Sequence, residues 1–180
     1  MINRSVARRY ARALLDLEEK QPTETAEKLS GFARLMKSNK TLAQVLVNPA
    51  FSMEERSKVL GRILKELGWG PPVDRFFHLL VERRRISYIE AIAQEFSNMV
   101  DEIQGIVRVK VESAHELGDE PLAKMKNVLA TALDKKVIIE RKVEPKLIAG
   151  VAVRIGSLVV DGTMKSQIAR LRESLARTRT

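Results

Sequence analysis

The chain has 180 residues, of which 44% are hydrophobic and 31% charged, so it contains enough apolar material for one or two folded domains. It has no cysteine, which excludes disulfides, thiolate metal sites and a cysteine nucleophile. No apolar run approaches the roughly 20 residues that span a bilayer, and no signal-peptide core follows Met1, so we expect a soluble protein. The net charge of +9 at pH 7 favours an acidic partner, an anionic membrane surface or nucleic acid, without choosing among them.

Six amphipathic helices joined by short turns are predicted within residues 1–105, because apolar residues recur there every three or four positions. The first three predicted helices cover residues 4–19, 22–37 and 41–47. The fourth begins at the capping-box pattern Ser52–Glu55 and ends at Gly68, the fifth follows Pro72, and the sixth extends from a second capping-box pattern, Ser87–Glu90, to Gly105. Such short connections between helices indicate a helical bundle.

The apolar stripes on these helices identify candidate core residues. The first predicted helix carries Val6, Tyr10, Ala13, Leu14 and Leu17 on one face, and the inward face of the second is predicted to comprise Ala26, Leu29, Ala33 and Met36.

At Gly105 the apolar period changes from about 3.6 to 2, which predicts a strand through Val107, Val109 and Val111. A helix then carries Leu122, Met125, Leu129 and Leu133 on one face, and a second strand covers residues 137–143. Two further strands, Val151–Ile155 and Leu158–Val160, are joined by the Gly156-Ser157 turn. A last helix carries Met164, Ile168, Leu171 and Leu175. We therefore expect an α+β protein, with a six-helix bundle in residues 1–105 and a small α/β domain in residues 106–180.

Residues with catalytic or metal-binding chemistry do not form a recognisable constellation. His78 and His115 have no partner at metal-ligand spacing, and the acidic pair Glu54-Glu55 is better explained by helix capping. The segment Gly162–Ser166 resembles the end of a phosphate loop but lacks the earlier glycine and spacer. We therefore predict no catalytic residue, no metal site and no cofactor.

The basic run Arg83–Arg85 has two interpretations. Cations at the end of the fifth helix are stabilised by the negative end of the helix dipole, and the same run would serve as an electrostatic docking patch. A basic nucleic-acid-binding protein is the alternative function, although the stacking aromatics or the recognisable module of such proteins are not evident. Phosphate binding would weaken steeply with salt, which distinguishes it from apolar docking.

Three sequence blocks, in this order along the chain, carry a family resemblance. They are VARRYARAL at residues 6–14, LLVERRRI at 79–86 and AGVAVRIGSLVVDGTMKSQIARLR at 149–172. Together they resemble the delta subunit of F-type ATP synthases, the family of the mitochondrial oligomycin sensitivity-conferring protein. The third block is the most specific.

The resemblance implies a non-catalytic stator subunit of the proton-translocating ATP synthase. Such a subunit links the catalytic head to the peripheral stalk, so that rotor torque is resisted and proton flow is coupled to ATP synthesis. Residues 1–105 would bind the N-terminal helix of an alpha subunit, and residues 106–180 would bind the b subunit. The resemblance also implies that the protein is a monomer in isolation, is present once per complex and does not bind nucleic acid. It would reach the membrane only through the complex, at the cytoplasmic face of a bacterial plasma membrane.

Site residues also follow from the resemblance. The alpha-subunit groove between the first and fifth helices is expected to comprise Val6, Tyr10, Ala13, Leu14, Phe76, Leu79, Leu80 and Arg83. The stalk-binding residues are expected to be Lys165, Ile168, Arg170, Leu171 and Arg172.

Overall fold

The structure is a computed structural model that describes residues 4–18, 21–156, 158–164 and 166–167. Within this part of the chain it has seven α-helices and one four-stranded sheet, which confirms the α+β class. Contacts divide the chain into two compact units, Met1–Val100 and Asp101–Thr180. None of the helices described is both long enough and apolar enough to cross a membrane.

In the described residues, six α-helices precede the first strand. They are α1 (Arg4–Leu17), α2 (Pro22–Ser38), α3 (Lys40–Val47), α4 (Met53–Leu67), α5 (Val73–Glu82) and α6 (Ile89–Ile103). A short 3-10 helix, Ile86–Tyr88, comes directly before α6. The bounds lie close to the predicted ones because most of these helices begin and end at strong local signals, such as Pro22 at the start of α2 and Gly68 after α4.

Of the two predicted capping boxes, the first is present and the second is wrong. The backbone N–H of Glu55 donates to Ser52 Oγ at 3.2 Å, and the backbone N–H of Ser52 donates to Glu55 Oε2 at 2.8 Å. Both bonds satisfy donors that the start of α4 would otherwise leave unpaired. Ser87, in contrast, lies inside the 3-10 helix Ile86–Tyr88, so the chain is already helical where a cap was expected.

The core of the first unit consists of aliphatic side chains around three phenylalanines. Phe32, Phe77 and Phe96 are completely buried, and the ring centroids of Phe32 and Phe77 lie 4.3 Å apart. Burying each ring contributes roughly 1.5–3 kcal/mol. Of the inward face predicted for α2, Leu29 and Met36 are buried, and Ala26 and Ala33 are partly buried and pack against the core. The prediction missed Phe32, which is completely buried beside them.

The second unit is a small sheet with a helix on one face. Its elements are β1 (Ile106–Ser113), α7 (Asp119–Leu133), β2 (Lys136–Val143), a 3-10 helix (Pro145–Leu147), β3 (Val151–Ile155) and β4 (Leu158–Asp161). The strand order is β2-β1-β3-β4. β1 and β2 are parallel and connected through α7, whereas β1–β3 and β3–β4 are antiparallel. The core of this unit includes Val109, Val111 and Val137 of the sheet and Leu122 of α7.

The predicted hairpin is present, with β3 and β4 paired antiparallel and Gly156 at φ +57° in the turn. Of the apolar stripe predicted for the last helix, Met164 is described. Ile168, Leu171 and Leu175 lie outside the described residues.

A buried carboxylate anchors the beginning of the sheet. Asp101, only 8% exposed, accepts a hydrogen bond from Arg108 Nε and another, at 3.0 Å, from Arg108 Nη2. The hydrogen bond to Asp101 raises the pKa of the Arg108 guanidinium above its usual value. This two-pronged contact ties the last turn of α6 to β1.

Candidate binding groove

The first helix has two apolar stripes rather than one. Ala7, Ala11 and Leu14 are completely buried and pack into the core of the first unit. A second stripe runs beside them with the spacing 4-3-4 and contains Val6, Tyr10, Ala13 and Leu17. At 100° per residue this second stripe spans only about 60° of the helix surface, so it forms one continuous wall.

The fifth helix is apolar around most of its circumference. Phe77, Leu80 and Val81 are completely buried. Phe76 and Leu79 lie on the side of α5 that lines the pocket with α1; Phe76 is only 7% exposed, whereas Leu79 is 39% exposed. A single exposed leucine is ordinary on a protein surface, so its significance depends on the side chains beside it.

The exposed stripe of α1 and the adjacent surface of α5 enclose one elongated groove with a volume of about 590 Å³. On the α1 side it is lined by Val6, Arg9, Tyr10, Ala13, Leu14 and Leu17. On the other side it is lined by Pro72, Arg75, Phe76, Leu79, Arg83 and Arg85. Leu17 at one end is 71% exposed, which adds to the uncovered apolar surface of the groove.

Aromatic contacts form the floor of the groove. Tyr10 and Phe76 meet edge to face, with ring centroids 6.3 Å apart and an interplanar angle of 67°. Phe76 in turn contacts Phe77 edge to face at 6.3 Å, which connects the floor to the core. These contacts restrain both walls in the absence of a ligand.

Cations frame the groove, and none of its lining residues is acidic. The four lining arginines are Arg9, Arg75, Arg83 and Arg85. None of the four has an ion-pair partner among the described residues. Two other arginines of α1 are paired within the chain: Arg4 Nε lies 2.6 Å from Glu95 Oε1, and Arg12 Nε lies 3.5 Å from Asp16 Oδ1.

The structure brings together all but one of the groove residues expected from the sequence. Val6, Tyr10, Ala13, Leu14, Phe76, Leu79 and Arg83 line the cavity. Leu80 does not line the cavity and is completely buried in the core. Leu14 is equally buried, although it lines the groove.

Five lining residues were not among those expected. They are Arg9, Leu17, Pro72, Arg75 and Arg85. Leu17 had a sequence signal, since it follows Tyr10 by seven positions on the same face of α1. Arg85 belongs to the basic run Arg83–Arg85, one interpretation of which was an electrostatic docking patch. Arg9 and Arg75 had no such signal, because their position at the groove depends on how the two helices pack.

The stalk-binding residues expected from the sequence, Lys165, Ile168, Arg170, Leu171 and Arg172, all lie outside the described residues. In the described part of the chain, no group of three or more histidine, cysteine or acidic side chains is placed to hold a metal ion.

The α+β fold carries an apolar groove framed by arginines, a surface whose shape and chemistry suit an apolar segment of a partner. The family of ATP synthase delta (OSCP) subunits matches residues 6–175. ATP synthase subunit delta of Myxococcus xanthus is 37% identical to the chain, and the match covers 97% of the chain and 98% of the relative. The corresponding subunit of Desulfosudis oleivorans is 36% identical over 97% of each chain.

A solved structure shares the fold. It is a chain of the Toxoplasma gondii mitochondrial ATP synthase hexamer, determined by cryo-electron microscopy, with a TM-score of 0.71 and 16% identity. The match covers 94% of this chain and 97% of that one. The chain belongs to the ATP synthase delta (OSCP) subunit family, and it is a non-catalytic subunit of an enzyme complex. The family resemblance inferred from the three sequence blocks is therefore confirmed.

Proposed function

We propose that this chain is a stator subunit that links the catalytic head of the ATP synthase to its peripheral stalk. It resists rotor torque, so that proton flow is coupled to ATP synthesis. The helices α1–α6 act as one bundle that binds the N-terminal helix of an alpha subunit, and residues 106–180 bind the b subunit. One copy acts in each complex, at the cytoplasmic face of a bacterial plasma membrane.

The single observation that carries the proposal is the apolar groove between α1 and α5. A docked amphipathic helix is held by apolar anchors spaced by three and four residues, and the groove presents apolar side chains at that spacing on both sides. Val6, Tyr10, Ala13 and Leu17 provide them on α1. Pro72, just before α5, and Phe76 and Leu79 of α5 provide them on the other side. An α1 of 14 residues is about 21 Å long, which matches a docked helix of three to four turns.

The composition of the walls also suits a helix. Ala13 leaves space for close approach of a partner backbone, whereas Tyr10 offers a large ring with a polar tip. The floor is attached to the core through Phe76 and Phe77, so the groove does not have to be built when the partner arrives. A torque-bearing joint needs such a preformed seat.

The second half of the proposal concerns the stalk. Lys165, Arg170 and Arg172 supply cations for an acidic partner, and Ile168 and Leu171 supply apolar contacts. This assignment rests on the family resemblance and on the sequence.

The test is a calorimetric titration of the full chain with a synthetic peptide of the first 20 or so residues of the alpha subunit of the same organism, about 30 Å long as a helix. We expect binding with a Kd of about 10 μM or tighter.

Ala13→Asp should abolish binding, because it places a charge against the apolar wall, while leaving the helical circular-dichroism signal unchanged. Arg62→Gln, on the exposed face of α4, is the matched control and should bind normally. No heat and no saturation at 100-fold higher peptide concentration would reject the groove as the head-binding site.

A further inference from the structure

The arginines around the groove have a consequence for which helix can dock there. We propose that Arg9, Arg75, Arg83 and Arg85 select a helix whose apolar stripe is flanked by carboxylates. This inference rests on the proposed function, since it assumes that a helix occupies the groove. It adds the partner's charge pattern, which the apolar walls do not specify.

The positions of the arginines on their helices support this selection. On α1, Arg9 lies about 60° from Val6 on the side away from the buried residues Ala7 and Ala11, so it stands at the outer lip of the wall. On α5, Arg75 likewise lies on the side away from the buried Leu80. Both guanidinium groups therefore flank the apolar surface rather than interrupt it.

The spacing along α5 gives the expected pattern in the partner. Arg75 lies on α5 and Arg83 directly follows its last residue, so the eight residues between them correspond to about 12 Å along the helix axis. A helix lying along α5 presents two carboxylates at that separation when they are seven or eight residues apart. Arg85 adds a further cation beyond the end of α5.

The chain itself leaves these cations available. The nearest acidic residues in sequence are Asp74 and Glu82 on α5, and neither lines the groove nor pairs with any of the four arginines. Four unpaired cations around an acid-free cavity create a positive potential that attracts carboxylates and repels a basic helix. Charges at the rim of a binding site mainly change the association rate and the choice of partner. Most of the affinity therefore still comes from the apolar contacts.

The experiment uses the alpha-subunit peptide in three versions, which keep every apolar position and carry Glu, Gln or Lys at the flanking positions. Binding of each fluorescein-labelled peptide to the full chain is measured by fluorescence anisotropy at low and at high salt. We expect the Glu peptide to bind about tenfold more tightly than the Gln peptide at low salt, because several rim pairs add modest contributions. The Lys peptide should bind least tightly, and all three affinities should converge as salt is raised.

A charge reversal tests the direction of the effect. The double variant Arg75→Glu/Arg83→Glu leaves two arginines and two carboxylates around the groove, so it should lose the preference for the Glu peptide over the Lys peptide, whereas Arg62→Glu on α4 should keep the original order. Equal affinity of the three peptides for the unmodified chain would overturn the charge selection and leave helix docking intact. Failure of all three peptides to bind would overturn both proposals. A natural alpha N-terminus without carboxylates beside its apolar stripe would also contradict the inference.

Discussion

Tyr10 of α1 and Phe76 of α5 meet edge to face at the floor of the groove, with ring centroids 6.3 Å apart. This contact links the two helices, α1 and α5, whose side chains form the opposite walls of the groove. Phe76 continues to Phe77, and Phe77 to Phe32, so the aromatic contacts extend from the groove into the core. The width of the groove is therefore determined by core packing before any partner binds.

Replacing Tyr10 by alanine should weaken peptide binding by about 2 kcal/mol, roughly 30-fold, because a large ring is lost from the centre of the contact. Tyr10→Phe should bind almost as well as the unmodified chain, since it keeps the edge-to-face contact with Phe76. Both affinities are measured by titration with the alpha-subunit peptide. If the phenylalanine variant lost as much affinity as the alanine variant, the hydroxyl rather than the ring would carry the contact.

Leu79 and Leu80 are neighbours on α5 with different expected roles. Leu80→Ala removes a completely buried side chain and should lower the free energy of unfolding by about 2–5 kcal/mol. Leu79 is partly exposed in the groove, so Leu79→Ala should cost well under 2 kcal/mol of stability and should reduce peptide affinity instead. Urea unfolding and peptide titration of both variants make the comparison. Equal stability losses would place both leucines in the core.

Leu79 and Leu80 also show what a sequence pattern can predict and what it cannot. Six of the ten residues of α5 are apolar and cover more than half of its circumference, namely Val73, Phe76, Phe77, Leu79, Leu80 and Val81. The pattern therefore predicted the helix but not which leucine faces the groove. That distinction depends on where the neighbouring helices pack, which a single sequence does not contain. The alanine-rich stripe Ala7 and Ala11 was missed for the same reason, since small residues carry weak periodicity.

Local signals were more reliable. The box at Ser52 and the hairpin at Gly156 were predicted because each motif satisfies its own backbone groups within a few residues. Ser87 carries the same motif, yet the chain adopts a 3-10 turn there. The arginine frame was predicted only in part. Arg83 was among the expected groove residues, and a docking patch was one interpretation of the run Arg83–Arg85. Arg9 and Arg75 were not predicted, because they line the same groove only through tertiary packing.

Gly150, before β3, should tolerate no side chain. Its φ is +90°, and an added Cβ would lie 2.5 Å from the carbonyl oxygen of Gly162 and 2.9 Å from Thr163 Cα. Gly150→Ala should therefore destabilise the sheet by about 2 kcal/mol or more, through backbone strain together with a clash against backbone atoms. The measurement is hydrogen exchange of the β3 amides in the full chain.

Gly31 in α2 is the matched control for that substitution. An added Cβ there meets nothing within 4 Å, and the position is helical. Gly31→Ala should leave β3 exchange unchanged and should stabilise α2 by about 0.5–1 kcal/mol. Unchanged β3 exchange in Gly150→Ala would contradict the tight approach of Gly150 to Gly162.

The capping box at the start of α4 predicts a stability difference that depends on pH. The Glu55 carboxylate accepts hydrogen bonds from the backbone N–H and from the hydroxyl of Ser52. Both bonds lower the pKa of Glu55 from its usual value, and the backbone bond has the larger effect. Because the pKa is lower in the folded state, the carboxylate's contribution is fully present above its usual pKa of 4.5 and is lost as the pH falls through the lowered folded value. Glu55→Gln should therefore be less stable than the unmodified chain at neutral pH, and the difference should disappear in acid.

Urea unfolding measured across this pH range tests the prediction, with Glu66→Gln near the other end of α4 as a control for the charge change alone. A stability difference that persisted unchanged in acid would mean that the shape of the side chain, and not its charge, supports the cap.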